Sequence, residues 1–472
     1  MRTLLSTLSI PALLVVGAMN PAAPAQAQAK AVNPLEQSRP FPGGPSRWLE
    51  NYRFLEDPAK RTDPLDALRY HRLGDSSWLQ LGGELRYAFT STDNLAFGIT
   101  GLGDDSYIQQ RAQAHASLHL LDNRLRAFVQ LQNTRSWNQE FPSPRDESRN
   151  DVAQAFIDAN FALGQLKTTA RLGRQEIQYG QGALFNIGEP PNVRLAFDGA
   201  RLIFNKPGGY QLDLLALRPV RYDFDNFDDS SDNNTHILGV YASLPLASRS
   251  GIDFYGFARE MEERTYQGFI GKEDRYTIGT RLFGNHDGLD WNWDLMMQDG
   301  EHANRDIRAW AVRTDSGYTF NSPAQIRLGL HLDVASGGDA QSATTTRTFD
   351  ALYPRNGTYG EAAVTTMANL ILAGPSLSFT PIRTIGVMSS ILQTWRESTD
   401  DYVYLPGMRP LVATLNNSER EIGTIYQFTA RWQPNSNFNI DLHMMHLAAG
   451  EAVTKAGGDD VNTVVLRTAM RF

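Results

Sequence analysis

The stretch Val464-Val465-Leu466-Arg467-Thr468-Ala469-Met470-Arg471-Phe472 divides by parity. Side chains of a β-strand point alternately to its two faces, so Val464, Leu466, Met470 and Phe472 share one face while Arg467 and Arg471 share the other. The same division recurs upstream. Leu79, Leu81, Leu85, Tyr87 and Phe89 oppose Gln80, Glu84, Arg86 and Ala88; Trp291, Trp293, Leu295 and Met297 oppose Asn292, Asp294 and Gln298. Ile326, Leu328, Leu330, Leu332 and Val334 oppose Arg327, His331 and Asp333, and Tyr426, Phe428, Ala430 and Trp432 oppose Gln427, Thr429 and Arg431. A period of two dominates from Trp78 onward, and few stretches carry a helical period.

A soluble β-sandwich would alternate in the same way, so the connectors decide. Strands are expected near 79–90, 107–121, 123–136, 152–163, 167–178, 199–206, 209–220, 234–245, 250–262, 274–285, 288–299, 306–318, 324–335, 366–380, 382–396, 421–433, 437–449 and 461–472. Long connectors (91–106, 137–151, 179–198, 221–233, 263–273, 336–365, 397–420, 450–460) take turns with short ones bearing turn residues, such as Asp122-Asn123, Gly164-Gln165, Pro207-Gly208-Gly209 and Pro434-Asn435. Only the connector near 300–305 is short for its side. This long-short rhythm is that of extracellular loops and periplasmic turns, and an even strand count returns both ends to the periplasm. The expected fold is an all-β transmembrane antiparallel β-barrel of about 18 strands, of the bacterial outer-membrane type. Trp78, Tyr107, Tyr210, Trp291, Trp395 and Trp432, near strand ends, suit girdles at the lipid and lipopolysaccharide interfaces. The terminal Phe472 resembles the signal read by the barrel-assembly machinery.

Composition is compatible with that reading. The 472 residues are 41% hydrophobic and 20% charged, an average a barrel can have because its lumen face is polar. Apart from the N-terminus, no stretch approaches the roughly 20 apolar residues of a membrane helix. Absence of Cys removes disulfides, thiol nucleophiles and thiolate metal sites. A net charge of −8 argues against nucleic acid as a partner. Lys and Arg total 44, of which only Lys30, Lys60, Lys167, Lys206, Lys272 and Lys455 are Lys, so 38 are Arg.

Arg2, the apolar run Leu4 to Val16 interrupted by Pro11, and the small-x-small sites Ala25-Gln26-Ala27 and Ala27-Gln28-Ala29 predict a signal peptide over 1–29, cleaved near 27–29. Residues 30–77, rich in Pro and charge, read as an extended periplasmic lead-in, too small for a plug domain, with the barrel over 78–472.

An eighteen-strand barrel encloses an aqueous channel unless loops fold into it, so its inward residues decide its use. Inward parity collects Arg86, Arg111, Arg126, Arg201, Arg275, Arg281, Arg327, Arg431, Arg467 and Arg471, with Glu84, Asp158, Asp213, Asp294, Asp333 and Asp441 among them. Guanidinium stays charged and its planar fork matches carboxylates, which favours an anion-selective channel for carboxylate-bearing solutes. Interspersed acids weaken each site enough for a ligand to leave. Any barrel interior is polar, and each such Arg also reads as one half of an ordinary lumen ion pair. Arg171 and Arg174 face inward together only across a bulge, which Gly173 between them permits.

Three segments carry a family resemblance: Asp151-Val152-Ala153-Gln154-Ala155-Phe156-Ile157-Asp158, then Arg171-Leu172-Gly173-Arg174-Gln175-Glu176-Ile177-Gln178-Tyr179-Gly180, and Asn192-Val193-Arg194-Leu195-Ala196-Phe197-Asp198-Gly199-Ala200-Arg201. With Leu81-Gly82-Gly83-Glu84-Leu85-Arg86 they resemble the alginate export family of outer-membrane porins, over nearly the whole mature chain. The resemblance implies a monomeric eighteen-strand barrel in a Gram-negative outer membrane. It also implies an Arg-rich constriction through which an anionic polysaccharide, alginate or a related polyuronate, leaves by passive diffusion, with a periplasmic export scaffold as partner. It assigns the constriction to Arg86, Arg126, Arg171, Arg174, Arg194 and Arg201, with Glu176 and Asp198 as their partners. The alternative is a nutrient-uptake porin for small anionic or sugar solutes.

No cofactor and no enzyme are expected. Glu176 with Asp198 has the residue types of a glycosidase acid and base, but lumen salt bridges account for them better. His443 and His446, three apart, fall on opposite strand faces. Asp223, Asp225, Asp228, Asp229 and Asp232 share a loop and offer carboxylate oxygens to Ca²⁺, with Asp225, Asp228 and Asp229 foremost, although such a run is more often simply solvated.

Overall fold

Residues 46–101, 103–189, 191–355, 359–361 and 364–472 are described in a computed structural model; the expected signal peptide lies outside them. Eighteen long strands form one antiparallel sheet: β1 Trp78–Asp93, β2 Asp105–Leu120, β3 Leu125–Trp137, β4 Asn150–Leu163, β5 Leu166–Gln175, β6 Phe197–Asn205, β7 Gln211–Arg221, β8 Thr235–Ala247 and β9 Ser250–Tyr266. The second half follows as β10 Phe269–His286, β11 Leu289–His302, β12 Arg305–Thr319, β13 Arg327–Ala335, β14 Leu370–Ile382, β15 Ile385–Trp395, β16 Glu421–Asn435, β17 Phe438–Ala449 and β18 Val461–Arg471. Each expected strand is present. Pairing of β1 with β18, from Glu84↔Arg471 to Asp93↔Asn462, closes the sheet and removes both edges. The seam runs one residue further, because Phe472 N–H donates to Gly83 O (3.1 Å) and Gly83 N–H returns a bond to Phe472 O (2.9 Å). A Cβ at Gly83 would lie 2.5 Å from the Phe472 ring, so the glycine is what lets that ring cross the seam.

Leu85, Phe89, Ile157, Leu172, Leu238, Ile278, Leu330, Tyr426 and Leu466 are all exposed on the outer face, an apolar band suited to lipid. One connector differs from expectation. Instead of a loop over 263–273, β9 and β10 continue as a hairpin that turns at Gln267 (φ 53°) and Gly268 (φ 82°), positive φ at both central residues as a two-residue hairpin turn requires. Exposed Glu262 and Glu263 had broken the apolar period, which fails where neither face of the hairpin meets lipid.

The hydrophobic core lies inside the barrel. Leu215 and Leu217 of β7, Ile237 and Tyr241 of β8 and Tyr255 and Phe257 of β9 point inward and are buried. Strand side chains alone do not fill so wide a lumen. Two long connectors fold in to meet them: 176–196 brings Ile177, Tyr179, Leu184 and Phe185, and 336–369 brings Phe349, Ala351, Tyr359 and Met367. The two loops pair with each other at Phe185↔Tyr353, and Tyr353 N–H donates to Leu184 O at 2.9 Å. Asp350 pins the second loop to β9 through Arg259 (2.5 Å) and Arg264 (2.8 Å).

The same filling does not occur everywhere. Toward the short-turn end of β14–β16 most inward residues are small or polar: Ser376, Ser378 and Thr380, then Gly386 and Ser390 on either side of Met388, then Gln427, Thr429 and Arg431. Met388 is the one large apolar side chain there, and it is left 40% exposed with no loop over it.

From residue 46 onward the lead-in is not simply extended. Tyr52, Leu55, Tyr70 and Trp78 bury one another, Tyr70–Arg72 pairs with β1, and Arg47 is buried inside the barrel mouth.

Candidate functional site

Inward parity brings the expected arginines into the lumen, where most are already neutralised. Glu84 on β1, buried, accepts from Arg111 on β2 (2.6 and 2.8 Å), Arg471 on β18 (2.7 Å) and Arg47 of the lead-in (3.0 Å). Arg86 stands directly opposite Arg111 in register, two like charges side by side. Loop 176–196 relieves that repulsion: Glu189 accepts from Arg111 and Arg194 (both 2.6 Å), and Arg86 donates to Glu189 O and Asn192 Oδ1 (both 3.0 Å). Burial alone would raise the Glu189 carboxyl, but the Arg111, Arg194 and Arg86 guanidinium groups outweigh it and hold it well below the usual carboxylate range.

A second group spans four consecutive strands in one row, Arg126↔Asp158↔Arg171↔Arg201. Arg171 grips Asp158 with both forks (2.7 and 2.9 Å), and Arg201 donates to Asp213 (3.0 Å). Further round, Arg281 pairs with Asp253 (2.9 Å), Arg327 with Asp290 (2.6 Å) and Asp315 (2.7 Å), Arg431 with Asp441 (2.6 Å) and Arg467 with Glu361 (2.8 Å). Glu176 meets Arg194 at 3.7 Å.

Two assignments are corrected. The register from Asp158↔Arg171 to Ala155↔Arg174 runs without a bulge, so Arg174 takes the face of Leu172, which is 68% exposed toward lipid. There it grips Asp198 (2.9 and 3.2 Å) and donates to Asp229 O (3.2 Å), a clamp at the outer rim beneath loop 222–234. Arg174 and Asp198 therefore do not line the lumen, and Glu176 and Asp198 stand on opposite faces of the wall, which leaves no acid-base pair. His443 is inward and His446 outward, as their parity requires.

The loop acids also rearrange. Asp225 points to solvent beside Arg149 (3.6 Å), whereas Asp228 and Asp229 gather with the buried Asp151, ligand oxygens within 4.8 Å of one another. Asp151 Oδ2 is already engaged, accepting from the backbone N–H groups of Asp228 (3.0 Å) and Asp229 (3.2 Å). Burial, with the Asp151 charge adding to it, pushes the Asp229 carboxyl up to about 6. A carboxyl whose folded pKa exceeds its unfolded value near 3.9 stabilises the fold fully below that value, and loses the contribution as pH rises through about 6. Loop 222–234 should thus show greater hydrogen-exchange protection at pH 5 than at pH 7.5 after correction for intrinsic rates. Asp229→Asn should erase the difference, and equal protection in the wild type at both pH values would refute the coupling.

A cavity of about 360 Å³ in the lumen is lined by Gln325, Ser378, Thr380, Gly386, Gln427, Thr429, Arg431 and His443, by the methionines Met388 and Met445, and by Arg355 and Glu361 of the folded-in loop. Arg355 belongs to loop 336–369, and its backbone N–H donates to Gly182 O at 2.8 Å, so one inward loop positions the other. The side chain is exposed, and its guanidinium has no ion-pair or hydrogen-bond partner among the described residues. Sequence parity missed it, because a loop residue has no parity. Arg431, whose side chain is 39% exposed, joins it on the cavity wall. Burial works against ionisation of Glu361, but Arg467 and His443 beside it hold its carboxyl down to about 2, so it remains charged.

A family model described as alginate export matches residues 77–467. No curated protein matches the sequence. Among solved structures, Acinetobacter baumannii OccAB1 superposes with a TM-score of 0.57 at 10% identity over 86% of this chain and 98% of its own. The outer membrane protein opdK from Pseudomonas aeruginosa gives 0.57 at 10% identity, over 84% and 98% of the two chains. Pseudomonas aeruginosa OccK11 (OpdR) gives 0.53 at 11% identity, over 84% and 96%. At these identities the likeness is one of fold.

Proposed function

The chain belongs to the alginate export family, barrels of the bacterial outer membrane, and from that premise we propose that it passes an anionic polysaccharide, alginate or a related polyuronate, out of the cell by passive diffusion. The observation that carries this reading is Arg355. Its side chain is exposed to the water of the cavity with no acid paired to it among the described residues, and Arg431 shares its wall. A guanidinium held by a folded-in loop, over a wall of Ser, Thr and Gln hydroxyl and amide groups, suits a sugar acid: the fork takes the carboxylate and the wall exchanges hydrogen bonds with sugar hydroxyls. The neutralised arginines behind it keep the loops in place. Glu361 beside Arg355 limits residence, as conduction requires. In this reading the chain is a monomer, delivered through a signal peptide, assembled through Phe472 and fed by a periplasmic scaffold.

The size of the vestibule favours a second reading, since about 360 Å³ is the scale of a small-solute site. That is the uptake porin for small anionic or sugar solutes. Planar-bilayer recordings separate the two. Anion selectivity with a block by uronate oligomers that strengthens with chain length supports polysaccharide passage. Equal block by monomer and hexamer supports uptake, and cation selectivity defeats both.

A further inference from the structure

On β3 and β4, toward the short-turn, periplasmic end, the lumen carries a group of aromatic side chains. Phe128 and Phe156 are inward cross-strand partners with ring centroids 5.1 Å apart at 21°. Phe156 faces Gly173 in register, and the missing side chain leaves room for Arg171 of the same strand to lie over its ring. The Arg171 guanidinium lies 3.7 Å from the Phe156 ring centre, and Arg126 stands 5.4 Å from that of Phe128. His115, Phe128, Phe156 and Arg171 thus form one stack that turns ring edges and a guanidinium face toward the lumen.

The chain itself covers this stack. Trp48 of the lead-in stacks on the other side of Arg171 at 3.8 Å, meets Phe156 edge-on at 6.2 Å, and its carbonyl accepts from Arg126 at 2.6 Å. The fit leaves donors unanswered. Trp48 Nε1 and Arg171 Nη1 are both buried without a hydrogen-bond partner among the described residues, and Arg171 as a whole is 2% exposed. A buried guanidinium nitrogen without an acceptor is costly, and an oxygen-bearing ligand would satisfy it.

We propose that the Phe128, Phe156, Arg126 and Arg171 cluster is a binding subsite for one sugar-acid unit of the polymer, and that Trp48 occupies it until cargo displaces the lead-in. The pyranose takes the place of the indole over Arg171 and against the Phe156 edge, and the carboxylate takes Arg171 Nη1 and the Arg126 fork that now holds the Trp48 carbonyl. Trp48 thereby competes with the cargo, so the periplasmic mouth opens in proportion to the polymer presented to it. This rests on the polyuronate reading above.

Calorimetric titration of the full-length mature barrel in detergent with a uronate hexamer tests it. Trp48→Ala should bind about tenfold tighter than the wild type, the size of a lost cation-π competitor. Trp48→Phe, which keeps a ring on the guanidinium, should return to near wild-type affinity. The gain should vanish in Trp48→Ala combined with Arg171→Gln, with native heat-modifiable gel mobility confirming that each variant is folded. Unchanged or weaker binding by Trp48→Ala overturns the subsite. If the hexamer nevertheless blocks wild-type current, the polyuronate reading survives that failure; if it neither binds nor blocks, both fall.

Discussion

Arg355→Glu reverses the ion selectivity of the channel. The guanidinium is exposed to the cavity and makes no ion pair among the described residues, so much of its charge acts on a passing ion, with Glu361 nearby offsetting part of it. At 4 Å one unit charge is worth about 1 kcal/mol in water and about 4 kcal/mol at an effective dielectric constant of 20. Replacing a positive by a negative charge changes that by two units, about 2 kcal/mol in water, or about 30-fold in the occupancy of each ion and in opposite directions for anion and cation. Reversal potentials across a KCl gradient at low salt read this directly, and the effect should shrink as salt shortens the screening length. Arg355→Ala should fall between the two, and block by a uronate hexamer should weaken with it. Arg174→Ala is the control. Its side chain holds Asp198 at the outer rim and should leave selectivity where it is. An unaltered reversal potential in Arg355→Glu would remove this residue from the conduction path.

Glu84→Ala destabilises the closed barrel by about 3–5 kcal/mol, the cost of stripping the counter-ion from buried charges. Glu84 joins the first strand to the last through Arg471, the second strand through Arg111 and the lead-in through Arg47. Without it three buried guanidinium groups converge on a void, with Glu189 left to answer Arg111 alone. Glu84→Gln keeps the volume and accepts one bond, so its loss should be smaller. The measurement is the temperature at which the folded, fast-migrating form on a denaturing gel gives way to the unfolded form. A midpoint matching the wild type would mean that the seam is held by backbone pairing alone.

The two residues differ in how visible they were. Glu84 lies on a strand, and period-two reading put it on the lumen face with Arg471 and Arg111. Its role as a shared counter-ion needed the register, which places residues 27 and 387 positions away against one carboxylate. Arg355 was invisible because nothing periodic governs a loop. The same limit explains Arg174. Its parity was legible only once the strand was known to run through Gly173 without a bulge, and glycine permits either course. Glu189 and Glu361 were likewise unseen, since both reach the lumen on connectors.

By itself the sequence determined the strands, their inward and outward faces, the barrel and the excess of guanidinium in its interior. These follow from a two-residue period against lipid on one side and water on the other, a constraint that acts on every strand residue separately and is therefore written locally. The tertiary structure alone decided which of those charges remain available. That depends on where two long loops and the lead-in bury their own acids and aromatics, and ion pairs between residues far apart in the chain leave no local pattern. The lumen that parity shows as mixed in sign with arginine in excess is a largely neutralised scaffold, with Arg355 on the wall of its open cavity.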